Sequence, residues 1–408
     1  MVHLPAAHNY REMVRTPGMV RFSIARGCVS EREATLLVKG NSLLLKVLTK
    51  TCDFRLIFFK LAPDNVLLYG IEIDTDPAAP TYVWAIAERA EEIEAINNIF
   101  NGDYSIIHLY NEVAVNVASG EPKFEIAQSP PTHFLDNIAL VENGSEKLSG
   151  RIQAFFDTFT TPIHTHPDAV ILYQKHIVGW NQIKATYITN SLEKITFRIL
   201  EANEGDQQEH LAVWLTDALS LSGAHKGPIV HEKKPRELTD VLFAHSHGLF
   251  LIESKVASVL NGDDTPAWDK LKKNTRKNID KAIAQHAGAC RNIVNGTRIT
   301  TKDGHDLDVP RNLPIHCIVL VTDIEMIADE PAYGGEAIKE FGRTTKHLLH
   351  ILDPDALMGI ILNANKLSKE SQYTTPIMAF DFILMKRWEE SLKLDTAYFR
   401  FTVETEIE

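Results

Sequence analysis

Three charged residues, Asp240, Glu253 and Lys255, are spaced so that a β-hairpin would bring them together. They lie in the run Glu237-Leu-Thr-Asp-Val-Leu-Phe-Ala-His-Ser-His-Gly-Leu-Phe-Leu-Ile-Glu-Ser-Lys-Val256. Two segments rich in Val, Leu, Phe and Ile flank a short polar turn, the pattern of two antiparallel strands. A turn centred on Ser246 and His247 pairs Val241 with Ile252, Leu242 with Leu251 and Phe243 with Phe250. The same register sets Asp240 opposite Glu253, and strand alternation puts Lys255 on their face. Two carboxylates directly across a ladder repel. A cation between them reverses the sign, and a hard divalent ion takes oxygen ligands of this kind. The chemistry favoured is a carboxylate-bound divalent ion with an ammonium beside it.

Several elements must hold these residues in place. Leu249-Phe-Leu-Ile252 is apolar throughout, as in a strand covered on both faces. Its Glu and Lys are expected at a sheet end near the core. Upstream, Gly205-Asp-Gln-Gln-Glu209-His-Leu-Ala-Val-Trp-Leu reads as a helix. Downstream, Pro266 opens a long helix with Asp264 or Thr265 as its cap. Trp268, Leu271, Ile279, Ala282, Ile283 and Cys290 fall near one face of it. Lys270, Lys272, Lys273, Arg276, Lys277 and Lys281 then point outward. Such a run is either a solvated helix face or a surface for phosphate backbone. Both readings stay open. Further on, Pro314-Ile-His-Cys-Ile-Val-Leu-Val-Thr-Asp323 is expected as a buried strand and 336–350 as a helix. Met358-Gly-Ile-Ile-Leu362 and 378–385 are expected as strands.

Asp240, a hairpin and Glu253-Ser-Lys255 together resemble the PD-(D/E)XK nuclease superfamily, whose signature is an acidic residue, a hairpin and (Asp/Glu)-x-Lys. The wording of the hairpin is especially similar to the nuclease-related-domain and defence-type branches. Thr239 stands where the full pattern has Pro. The resemblance covers roughly residues 200–325 and leaves the N-terminal third untouched. It implies a restriction-endonuclease-like mixed-sheet core flanked by helices. It also implies Mg²⁺ or Mn²⁺ on Asp240 and Glu253, with Glu209 completing the outer shell and the Ser254 carbonyl as an additional ligand. Lys255 would orient the attacking water and stabilise the transition state. Gln285, in Lys281-Ala-Ile-Ala-Gln285, would position water or phosphate. The implied substrate is nucleic acid, DNA ahead of RNA, in a homo-oligomeric restriction or phage-defence effector of the Shedu kind. The alternative is a nuclease-fold module that binds nucleic acid or a protein without cutting.

Composition sets the frame. The chain has 408 residues, 44% hydrophobic and 24% charged, which suits two globular α/β or α+β domains. The net charge of −12 speaks against a polyanionic substrate, but its distribution matters more than its total. The opening residues lack the apolar core of a signal peptide, and no apolar run is long enough to span a bilayer. A cytoplasmic protein with no membrane partner is the expectation. Cys28, Cys52, Cys290 and Cys317 show neither zinc nor disulfide-scaffold spacing and are expected to be reduced and mostly buried.

Strand-like runs near 18–22, 34–38, 54–59 and 66–73, a helix over 85–100 and strand character over 104–117 suggest an N-terminal α+β domain. Turn-rich stretches at 119–133 and 142–146 place its boundary near 145. Residues 1–145 would form the sensing domain and 146–408 the nuclease-like domain. The latter opens with a helix over 148–159, then strands near 169–173 and 196–200. Ile163-His164-Thr-His166-Pro-Asp168 looks like half of a JAMM-type metalloprotease site, but Gln174 and Ile177 stand where the other half belongs. It is read as a surface turn. No Gly-rich phosphate loop precedes a Lys-Ser or Lys-Thr pair.

Overall fold

A computed structural model describes residues 3–25, 32–73, 80–128, 130–141, 146–158, 163–177, 179–190, 192–219, 223–246, 248–261, 266–371 and 374–399. The chain is α+β and divides into two units, Met1–Ile183 and Lys184–Glu408. The division comes later than the turn-rich stretch near 145. The reason is Val170–Ile177, which pairs antiparallel with Phe54–Leu61 and with Pro122–Gln128 and so belongs to the first unit. Pro122–Gln128, turn-rich by composition, forms an edge strand. It opens on a proline, at a place where a missing N–H costs no ladder bond.

Among its described residues, the first unit holds two five-stranded sheets. Its core includes the wholly buried Arg21, which pairs with Glu12, Glu88 and Glu92. Ser42–Thr51 is a helix with no counterpart in the sequence expectations. Asn41 caps it, its side chain accepting from Leu44 N–H at 2.8 Å. The His-x-His turn is a short 3-10 turn, in which His164 Nδ1 lies 2.8 Å from the buried Glu72.

In the second unit we label the elements that build the site. They are α1 (Glu204–Asp217), β1 (His225–Lys226), β2 (Val241–His245), β3 (Gly248–Lys255) and α2 (Trp268–Val294). Then follow β4 (Ile315–Val321), α3 (Gly335–Thr345), β5 (Leu348–Leu352), α4 (Pro354–Glu370) and α5 (Pro376–Leu394). The sheet order is β1-β2-β3-β4-β5. β1, β2 and β3 pair antiparallel, whereas β3–β4 and β4–β5 are parallel. The hairpin register is the expected one, with Val241 opposite Ile252, Leu242 opposite Leu251 and Phe243 opposite Phe250. His247 lies outside the described residues.

Every residue of β4 is buried, as is β3 up to Glu253, so both strands are covered on each face. Burying each Leu, Ile, Val or Phe there contributes about 1.5–3 kcal/mol. That is what pins the register beside the charged residues. α2 packs on β3 and β4. Its buried stripe holds Leu271, Ile279, Ala282 and Cys290 as expected; Trp268 and Ile283 are half-buried, and His286 is fully buried. α2 starts from Ala267, and residues 264 and 265 are outside the described set. Cys290 and Cys317 are buried thiols with Sγ atoms 3.4 Å apart, Cys52 is half-buried, and Cys28 is not described.

Two expected strands are helices. Met358–Leu362 falls in α4 and 378–385 in α5. Each helix starts with proline and a side-chain cap: Asp353 accepts from Ala356 N–H at 2.7 Å, and Thr375 from Met378 N–H at 3.4 Å.

Candidate active site

β3 is buried and apolar until Ile252, then turns charged as it leaves the sheet. Glu253 and Lys255 thus sit at the carboxyl end of a strand paired in parallel with β4, where open α/β sheets place their ligands. Asp240 comes from the residue just before β2. Thr239 holds that entry in place, its hydroxyl donating to the Ile252 carbonyl at 2.8 Å. The Asp240 backbone carbonyl accepts from Gly227 N–H at 2.8 Å. Its carboxylate accepts the Ser254 N–H at 2.6 Å. One bond fixes the backbone of Asp240 and the other its side chain.

Lys255 Nζ lies 2.8 Å from Glu253 Oε2 and 3.8 Å from Asp240 Oδ2. The three residues predicted from spacing are therefore together, and Lys255 is the cation between the carboxylates. Glu253 is only 2% exposed at its side chain. Burial, then the charge of Asp240, pushes its carboxyl up to about 7 against the opposing pull of Lys255. Burial raises Asp240 too, with Lys255 and the Ser254 N–H working against the rise.

α1 delivers Glu209. Two other side chains dock that helix: Glu204 Oε1 accepts from Ser258 Oγ and from the N–H groups of Val259 and Leu260 at 2.6–2.9 Å, and Gln208 Nε2 donates to the Leu320 carbonyl at 2.8 Å. Held this way, Glu209 feels Asp240: burial first and the Asp240 charge second raise its carboxyl. Lys226 Nζ lies 3.3 Å from Glu209 and also pairs with Asp206. This second ammonium was not visible in the sequence, because it reaches the site through a two-residue strand opposite Val241. Ala224-His-Lys-Gly-Pro228 carries no recognisable motif.

Not everything expected converges. Gln285 is exposed on α2 and makes no hydrogen bond to the carboxylates among the described residues. His245 lies at the other end of the hairpin, its Nε2 3.7 Å from Asp381 of α5. Among the described residues no group of three or more His, Cys, Asp or Glu side chains is set to hold a metal ion. Two carboxylates are a donor set Mg²⁺ ordinarily takes from a protein, since it keeps much of its hydration.

The basic helix meets the site directly. Asn278 Nδ2 donates to the Val256 carbonyl at 3.2 Å, so α2 crosses the chain one residue beyond Lys255. Lys270, Lys273, Lys277 and Lys281 are exposed, Lys272 and Arg276 are half-buried, and Arg276 is paired with Glu330. Lys273, Lys277 and Lys281 follow one another at four-residue steps along one face. Changing these three to Glu should weaken DNA binding for every sequence alike and flatten its salt dependence. The log–log slope should drop by about 0.9 for each phosphate that is no longer neutralised. Exposed substitutions cost within about 0.5 kcal/mol, so the melt should hold. Filter binding at several salt concentrations checks this; an unmoved slope would make the face merely solvated. Comparison of the chain with protein-family models, with curated proteins and with solved structures finds no match.

Proposed function

We propose that the second unit is a Mg²⁺- or Mn²⁺-dependent nuclease that hydrolyses phosphodiester bonds, DNA being its substrate ahead of RNA. The observation that carries this reading is the convergence of Asp240, Glu253 and Lys255 at a strand end, under a helix with a lysine face. Asp240 and Glu253 would hold the ion through carboxylate oxygens, with the Ser254 carbonyl as a further ligand and Glu209 outside them. When bound, the ion would lower the pKa of an attacking water and offset charge gathering on the phosphate. Lys255 would then turn from Glu253 toward the scissile phosphate, donating to the oxygens on which negative charge builds. Lys226 would keep Glu209 in place beside Asp240. Lys273, Lys277 and Lys281 would hold the neighbouring backbone phosphates without reading sequence. In this reading the first unit senses or restricts, as in a homo-oligomeric restriction or phage-defence effector.

The second reading is a module that binds nucleic acid without cutting. It is favoured by Lys255, which already pairs with Glu253 at 2.8 Å and with Asp240 at 3.8 Å. One experiment separates the two. Pure protein is incubated with supercoiled and linear DNA in Mg²⁺, Mn²⁺ or EDTA, and a gel shift is run in parallel. Ion-dependent nicking or shortening supports the nuclease; a shift without cleavage in any ion selects the binding module.

A further inference from the structure

A groove of about 390 Å³ lies in the second unit between α3 and α5. Lys339 and Arg343 of α3, with Lys346 just beyond it, supply its charged side; Leu348 and Leu392 supply an apolar side. His347 and Trp388 complete it. No carboxylate lines it. Lys339 and Lys346 take part in no ion pair among the described residues. Arg343 forks onto the exposed Glu340, at 3.0 Å from both oxygens, which occupies two of its five N–H donors. Complementing the carboxyl end of α3 could account for Arg343 and Lys346. It does not account for Lys339, nearer the middle of the helix.

Two buried polar atoms in the same wall lack a hydrogen-bond partner, His347 Nδ1 and Trp388 Nε1. His347 is 9% exposed. A Cβ built on Gly342 would stand 3.8 Å from Trp388 Cζ2, so the six-membered ring of the indole packs beside this lining glycine. Buried polar atoms left unpaired are rare enough to require an account. Three cations and an indole N–H call for acceptor oxygens, and the indole and leucines beside them call for a flat apolar body.

We propose that this groove binds a nucleoside monophosphate, its phosphate on Lys339, Arg343 and Lys346 and its base against the Trp388 wall. The volume falls in the range of small-ligand sites. The proposal is independent of the nuclease reading, because the groove shares no residue with the carboxylate site.

The test is isothermal titration of the full chain in EDTA with deoxyadenosine monophosphate, deoxyadenosine and inorganic phosphate. The nucleotide should bind saturably and at least about tenfold more tightly than either fragment, a difference titration resolves readily. Arg343→Gln with Lys346→Gln, both exposed, should lose about tenfold or more while melting like wild type. Trp388→Phe, which keeps most of the packing and removes the N–H, should weaken binding by a smaller factor. Asp240→Ala should bind like wild type. No saturable heat, phosphate binding as tightly as nucleotide, or unchanged affinity in the Arg343/Lys346 variant would each overturn the proposal. A loss confined to Asp240→Ala would also overturn it, by moving the ligand to the carboxylates.

Discussion

In the Lys255→Ala chain the second unit should unfold about 3–5 kcal/mol more easily at pH 8 than the wild type, the cost of leaving a buried charge without its partner. Lys255 is mostly buried between Asp240 and Glu253 and is the counterion of both. Without it the carboxylates repel at close range, and each takes up a proton more readily. The sign with pH follows. A carboxyl raised in the folded state costs nothing below its unfolded value near 4.5, where both states are protonated. About 7 is where wild-type Glu253 ionises, so the variant's extra cost is small below it, where Glu253 is protonated in both chains, and grows above it. The variant should therefore recover most of its lost stability near pH 5, and millimolar Mn²⁺ should restore part of it at pH 8 by mass action. Urea melts at both pH values, with and without Mn²⁺, make the measurement. Equal destabilisation at pH 5 and pH 8 would mean that Lys255 is not the counterion. Cleavage per folded molecule should still vanish, which a purely structural lysine would not cause.

Glu253→Gln should divide function from stability in the opposite direction. The amide keeps the shape of the side chain and can still accept from Lys255, but it removes the charge needed to hold a divalent ion. Cleavage should fall by at least roughly 10³-fold, of the order seen when a preorganised charge-stabilising group is removed. Stability should not fall in step. The wild-type Glu253 carries a burial penalty that appears between pH 4.5 and about 7. The variant lacks it, so its stability should lose that part of its pH dependence and, above pH 7, match or exceed a Lys255→Ala chain by several kcal/mol. Wild-type cleavage should correspondingly rise with pH through the same window, as Glu253 ionises. A Glu253→Gln chain that cleaves at near wild-type rate would remove Glu253 from the chemistry.

The hairpin was legible because its evidence is local and doubled. Alternation, a short polar turn and two matched apolar runs all specify one register, and a slip by one residue would turn every side chain to the wrong face. Glu209 rested on the resemblance and not on a local period; the structure sets it on α1, 3.3 Å from Lys226 and within the field of Asp240. Lys226 was not legible, because two residues of strand leave no period to read. Residues 358–362 and 378–385 mislead for a related reason. Apolar runs of five to eight residues fit a strand or one side of a buried helix equally well. The signals that settle them lie outside the runs, in Asp353-Pro354 and Thr375-Pro376, each a cap followed by proline at the first helical position. The division after Ile183 was hidden because the pairing of 170–177 with 54–61 leaves no local trace. Of the prolines near 119–133, Pro122 opens an edge strand, while Pro130 and Pro131 lie beyond its end.

The sheet of the second unit also sets the order in which it can assemble. Only the β1–β2–β3 pairings join neighbours in sequence; β3 meets β4 after all of α2 has intervened, and β4 meets β5 after α3. Parallel pairings of that reach must overcome loop-closure entropy before they gain anything, so they govern the folding rate. The hairpin bearing Asp240 and Glu253 can close early, but the outer edge of β3 gains its partner only when β4 arrives. Until then β3 offers an unpaired edge, and charge such as that of Glu253 and Lys255 at its end is one of the devices that discourage edge-to-edge pairing.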